Sequence, residues 1–137
     1  MLKYISRPFA IYGILVILSL MVVFHTFILL GQIPYEMVWG GRLTSHSEML
    51  TFEAVSITLN LLMIAVVAIY AGFLKVNIPA DIIKIALWAM FTLFLMNTIG
   101  NFFSINFFEK IIFTPLTFIL SFLSFKLAIS NVQTTSN

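Results

Sequence analysis

The chain has 137 residues, 61% of them hydrophobic and 9% charged, with a net charge of +2 and no cysteine. A soluble domain carries about 25% charged residues, so this composition excludes a water-exposed globular fold and leaves lipid as the solvent for a single domain. Without thiols there is no disulfide framework, thiolate metal site or thiol redox chemistry, and the few dispersed charges do not fit nucleic-acid binding.

The first apolar run spans Phe9 to Leu30. At 1.5 Å per residue it reaches roughly 33 Å as a helix, enough for the hydrocarbon core. It is too long for a cleaved signal peptide and lacks a small-residue cleavage site, so it reads as an uncleaved anchor. The loop after it, Ile33-Pro34-Tyr35-Glu36-Met37-Val38-Trp39-Gly40-Gly41-Arg42-Leu43, combines aromatics, an acid, a base and a flexible glycine pair. The second run spans Thr51 to Leu74. Ser45 and Glu48 before it have the spacing of a capping box, so its helix starts near His46. The third spans Ala80 to Ile99, with Asn77 a candidate cap and Pro79 suited to its first turn. The fourth spans Phe107 to Ile129, with Ser104 or Asn106 as a cap, and a polar, frayed tail at Asn131–Asn137 follows. Ala68 and Gly72 form a small-xxx-small packing pair. The expected fold is all-α, one four-helix transmembrane bundle over residues 1–137.

Four crossings put both termini on one side with the 75–84 loop. That side carries Lys3, Arg7, Lys75, Lys84 and Lys126; the other carries Arg42 and Lys110. The bias predicts both termini in the cytoplasm of a bacterial inner membrane.

Polar groups inside a membrane are costly, so their positions carry information. Glu53, Ser56 and Asn60 recur on one face of the second helix. Asn97 and Asn101 sit four apart near the outer end of the third. Glu109 opens the fourth, followed by Thr114, Thr117, Ser121 and Ser124, whose hydroxyls suit a close-packing face and offset the backbone bond that Pro115 removes. His25 lies about 7 Å below the outer end of the first helix. The inner half offers almost nothing comparable beyond Thr92, Ser19 and the snorkelling lysines. The pattern predicts one polar cluster, open outward and closed inward. Its expected ligand-binding residues are Glu36, Trp39, Arg42, Glu53, Asn97, Asn101 and Glu109, with Arg42 meeting a carboxylate or phosphate and Trp39 covering the site. The catalytic candidates are His25 and Glu53, as proton carriers.

The segment Phe52-Glu53-Ala54-Val55-Ser56, entered from a polar outer loop, resembles the corresponding helix start of sterol isomerase-like membrane proteins. The resemblance is short; it implies an acid–base reaction on a lipophilic substrate and transfers no residue role.

The leading expectation is a ligand- or lipid-binding protein or accessory subunit. The alternatives are a membrane enzyme of the isomerase kind and, behind it, a small proton- or ion-coupled transporter. Expected partners are membrane lipid, a lipophilic or anionic small ligand, and a membrane-protein partner or second copy. No cofactor, metal or nucleic acid is expected; His25 and His46 lack metal-ligand spacing.

Overall fold

A computed structural model describes residues 5–130. Lys3 and the 131–137 tail, both used in the sequence reading, lie outside them. Among the described residues the protein is all-helical, and four helices are long and apolar enough to cross a membrane. They are α1 (Arg7–Leu29), α2 (His46–Tyr70), α3 (Ala80–Phe102) and α4 (Thr114–Ile129), the last preceded by a π-helical turn at Glu109–Phe113. Two short 3-10 turns, Tyr35–Met37 and Trp39–Gly41, shape the long loop.

The helix ends follow local chemistry. Ser6 Oγ caps α1 by accepting from Phe9 N, and Pro8 fits that first turn. Both α1 and α2 stop at a glycine in the left-handed region, Gly31 (φ 72°) and Gly72 (φ 79°). After each, the chain folds back with paired bonds: Gln32 N to Phe27 O at 2.8 Å, and Phe73 N to Ala68 O at 2.8 Å. This is the Schellman arrangement. It ends α2 at Tyr70, four residues short of the expected Leu74, because Gly72 supplies a turn that a side chain would strain. Gly72 is therefore a helix stop. A Cβ there would meet nothing within 4 Å, so the expected small-residue packing pair is absent.

The capping box at α2 is shifted by one residue. Ser45 Oγ accepts from Glu48 N at 3.2 Å, but the Glu48 carboxylate accepts from Thr44 N at 2.9 Å and Thr44 Oγ1 at 3.1 Å. Asn77 does not cap α3; Pro79 holds that position with no side-chain bond. Asn106 does cap the fourth span, its Oδ1 accepting from Phe108 N at 2.9 Å.

The helices run up and down. Helix α1 packs along α2 and α4, and α4 packs along α3, while α2 and α3 touch sparingly. At the end that carries the 71–79 connection, here the near end, Ala10, Ile14, Leu18, Val67, Leu87, Leu120 and Leu127 form a continuous buried core. At the far end a smaller cluster of Ile28, Val38, Leu43, Met49 and Phe113 anchors the long loop. Large apolar residues such as Leu20, Leu62, Ile85, Met96 and Phe118 are exposed around the bundle. In water such a surface would aggregate; in a bilayer it is the surface a spanning bundle needs.

The polar stripe of α4 joins it to α3, as a close-packing face should. The Thr98 and Thr117 hydroxyls lie 3.0 Å apart, and Ser121 Oγ donates to Phe91 O at 3.3 Å. Helices α1 and α4 pack tightly at Gly13, where an added Cβ would sit 2.9 Å from Leu123 Cδ1. Gly13→Val should overpack this crossing and lose about 1–3 kcal/mol. Gly13→Ala should lose less, since the Leu123 side-chain end can move. Equilibrium unfolding in mixed micelles checks the order of the two.

Candidate functional site

The far end is organised by two buried carboxylates. Glu53, on α2, is fully buried. Its Oε2 lies 2.6 Å from His25 Nδ1 on α1, and its Oε1 accepts from Trp39 Nε1 at 2.9 Å. One proton is shared between Nδ1 and Oε2, and the indole N–H can only donate. His25 Nε2 has no protein partner among the described residues and His25 lines the cavity described below.

Glu109, in the π-turn, is 5% exposed. Its Oε2 accepts from Gly40 N at 2.8 Å and from Ser104 Oγ at 2.5 Å. Ser104 Oγ in turn accepts from Asn106 N at 3.0 Å. A buried carboxylate without donors costs several kcal/mol; each of these two has a pair of them.

The loop delivers those donors through an uncommon backbone. Trp39, Gly40 and Gly41 have φ of 57°, 67° and 68°. Two glycines adopt this freely, but Trp39 is strained there by about 1–3 kcal/mol. The conformation places the indole N–H on Glu53 while the next residue's backbone N–H reaches Glu109. The Trp39 ring also packs on Phe52, with centroids 4.9 Å apart. Asn106 Nδ2 fixes the start of the loop by donating to Glu36 O at 3.1 Å.

Pro115 explains the π-turn. Its ring has no N–H and clashes with a carbonyl four residues back in a regular helix. The chain widens over Glu109–Phe113 instead, a form often found at functional positions. Among the described residues no hydroxyl reaches the carbonyl of Ile111 that Pro115 leaves without its usual donor: Thr117 Oγ1 donates to Phe113 O at 2.7 Å, while Thr114 Oγ1 and Ser124 Oγ are buried without partners.

Between α2 and α3 the far half of the bundle opens into a cavity of about 720 Å³. Its depth ends on Met63, Phe94 and Leu120, and Arg42, Gly40 and Ser104 stand at its mouth. Its side walls include Phe52 and Leu59 from α2 and Leu93 and Met96 from α3, all exposed. The gap is thus open sideways, toward the surface that lipid would cover, as well as at the far end.

Of the seven residues expected to bind a ligand, Trp39, Arg42, Asn97, Asn101 and Glu109 line this cavity. Glu53 does not; it stands behind the wall, covered by His25 and Trp39. Glu36 does not either, and contributes only its backbone carbonyl, to Asn106. Both catalytic candidates meet, because α1 and α2 are packed along their lengths. The expected approach of Arg42 to Glu36, Glu53 or Glu109 is not seen: among the described residues the only side-chain ion pair is His25–Glu53. Glu53 and Glu109 are already occupied by nearer donors, and Arg42 does not reach Glu36.

The side-chain amides of Asn97 and Asn101 also bond no protein atom among the described residues. Ser104 and Gly40 were missed by sequence reasoning. No spacing rule links a loop backbone N–H to an acid 69 positions later. Asn60 was read correctly as inward-facing but satisfies itself, donating to Ser56 O at 2.8 Å.

No family model, curated protein or solved structure matches the chain.

Two substitutions test the latch that Glu53 and Glu109 form by binding the loop to the helices. Glu53→Ala removes the partner of His25 and Trp39 and should destabilise the fold by about 3–5 kcal/mol. Ser104→Ala removes one donor to a charged group and should cost about 1.5–3 kcal/mol. Thermal unfolding in detergent, followed by near-UV circular dichroism of the tryptophans, reads both; equal stability of the Glu53→Ala protein and the parent would refute the latch.

Proposed function

We propose that the protein is a membrane-embedded binding protein that holds an amphiphilic or lipophilic ligand in the cleft between α2 and α3. The observation that carries this reading is the conjunction of one deep, laterally open cavity with polar side chains at its mouth that the protein leaves unbonded. An amide in a membrane segment without a partner costs about 1–3 kcal/mol. Asn97 and Asn101 stand in that position on the cavity that Arg42, from the loop, also lines. The apolar depth of Met63, Leu93, Phe94 and Leu120 suits a hydrocarbon body, and the sideways opening suits arrival from the bilayer rather than from water.

The basic residues orient this picture. Arg7, Lys75, Lys84 and Lys126 belong to the near end and Arg42 and Lys110 to the far end. By the positive-inside bias the near end is cytoplasmic and the cleft faces the outer leaflet of a plasma membrane, bacterial by this reading. A reporter active only in the cytoplasm, fused after Asn137, should be active.

A second reading rests on a separate observation. His25 and Glu53 lie at hydrogen-bond distance with Nε2 of the imidazole unbonded on the cavity side. A carboxylate on one ring nitrogen fixes the ring's orientation and so the direction of the other nitrogen. This is the arrangement an acid–base enzyme acting on a lipophilic substrate would use.

Native mass spectrometry from gently extracted membranes tests the binding reading. The parent protein should retain a non-protein mass that Arg42→Ala combined with Asn97→Leu releases. A parent protein that emerges bare but attached to other polypeptides would overturn ligand binding in favour of an accessory subunit with the cluster as internal glue. Conversion of the retained molecule to a different mass by the parent, but not by His25→Gln, would establish the enzyme.

A further inference from the structure

The chemistry of the ligand's polar end can be read from which groups the protein has left unbonded. The far end holds four carboxylates, on Glu36, Glu48, Glu53 and Glu109. Glu48 accepts from Thr44, Glu53 from Trp39 and against His25, and Glu109 from Gly40 and Ser104. None lies within ion-pair distance of Arg42, although Glu48 and Glu109 line the same cavity. Three of the four acids are thus matched to nearby donors, Arg42 does not reach the fourth, Glu36, and among the described residues the one arginine at this end keeps its guanidinium unbonded.

Around that guanidinium the remaining unbonded groups are donor-rich. Asn97 and Asn101 lie one helical turn apart on α3 and each brings an amide NH₂ to the same cavity. The arginine stem is held at the mouth: its Nε lies 3.4 Å from where a Cβ of Gly40 would stand, beside Ser104 Oγ at 3.8 Å from the same point. A planar five-donor fork backed by two amides matches an oxyanion. The apolar walls behind them match what an oxyanion at a bilayer surface is attached to.

We propose, resting on the binding reading above, that the cleft selects lipids whose polar end is an anionic oxygen group, a phosphate or a carboxylate. Arg42 forms the charge-assisted contact, Asn97 and Asn101 donate to the remaining oxygens, and the acyl chain occupies the opening between Leu59 and Met96. An uncharged head would leave the guanidinium unpaired, and a zwitterionic head would bring a cation up to Arg42.

Trp39 lines this cavity, and the only other tryptophan, Trp88, lies outside it, so the test is optical. The full chain with Trp88→Phe is placed in nanodiscs of plain phosphatidylcholine. Each disc set is doped with one lipid carrying brominated acyl chains, which quench indole on contact. The doping lipids are phosphatidic acid, a free fatty acid, phosphatidylcholine and diacylglycerol at equal mole fraction. Either anionic lipid, or both, should quench Trp39 at about tenfold lower mole fraction than the zwitterionic and uncharged ones, the ratio one charge-assisted hydrogen bond sustains. The stronger of the two identifies phosphate or carboxylate as the natural group. Arg42→Gln and Asn97→Leu should bring all four lipids level, and Arg42→Lys should restore part of the preference, since it keeps the charge and loses the fork. An unchanged Trp39 emission maximum without bromine certifies that each variant is folded. Equal quenching by all four lipids in the parent would overturn the anion preference while leaving the cleft a lipid site. Absence of quenching by every brominated lipid would overturn the binding reading itself.

Discussion

Two carboxylates inside a low-dielectric bundle must each find donors, and the far end is folded around that requirement. Leaving either Glu53 or Glu109 without partners would cost several kcal/mol. Neither helix that carries them has donors to spare, because helical N–H groups are bonded to their own backbone. The donors come from elsewhere: an imidazole from α1, an indole and a backbone N–H from the loop, and a hydroxyl from the turn before Glu109. The loop's left-handed residues follow from this, since neighbouring residues must serve acids on two different helices. The strain at Trp39 is offset by the two bonds that its conformation permits.

The same requirement leaves the cavity. With the loop pinned to α2 through Glu53 and to the start of α4 through Glu109, nothing draws α2 and α3 together at the far end. They converge only toward the near end, where Val67, Tyr70, Ile83 and Leu87 share one apolar core. The result is a gap whose apolar sides are exposed and which the one guanidinium at that end also lines.

Much of this was legible in the sequence, and what was not has a physical reason. The four helices followed from apolar length alone. The inward stripe of Glu53 and Ser56 followed from helical period, and both are buried. The contact between His25 and Glu53 was conceivable because consecutive helices tend to pack, but its 2.6 Å distance depends on the rotation of both helices. The expected pairing of Arg42 with Glu53 or Glu109 failed because charge type says nothing of competition: closer donors had already taken both acids. Gly72 looked like a packing residue because spacing does not reveal φ. Ser104 was expected only as a helix cap and Gly40 only as a flexible loop residue, since their partnership with Glu109 exists only once the loop has crossed the bundle.

The π-turn at Glu109–Phe113 has a consequence for how α4 is divided. One surplus residue per turn shifts the helix's angular phase by about 100° relative to a continuous α-helix. The residues before the shift, Glu109 among them, are phased to the loop; those after it, Thr117, Ser121 and Ser124, are phased to α3. A single helix thereby keeps two independent rotational settings. Changes that reposition Glu109 and the loop therefore need not rotate the seam that holds α3 and α4 together, because the two are set by different segments of one helix.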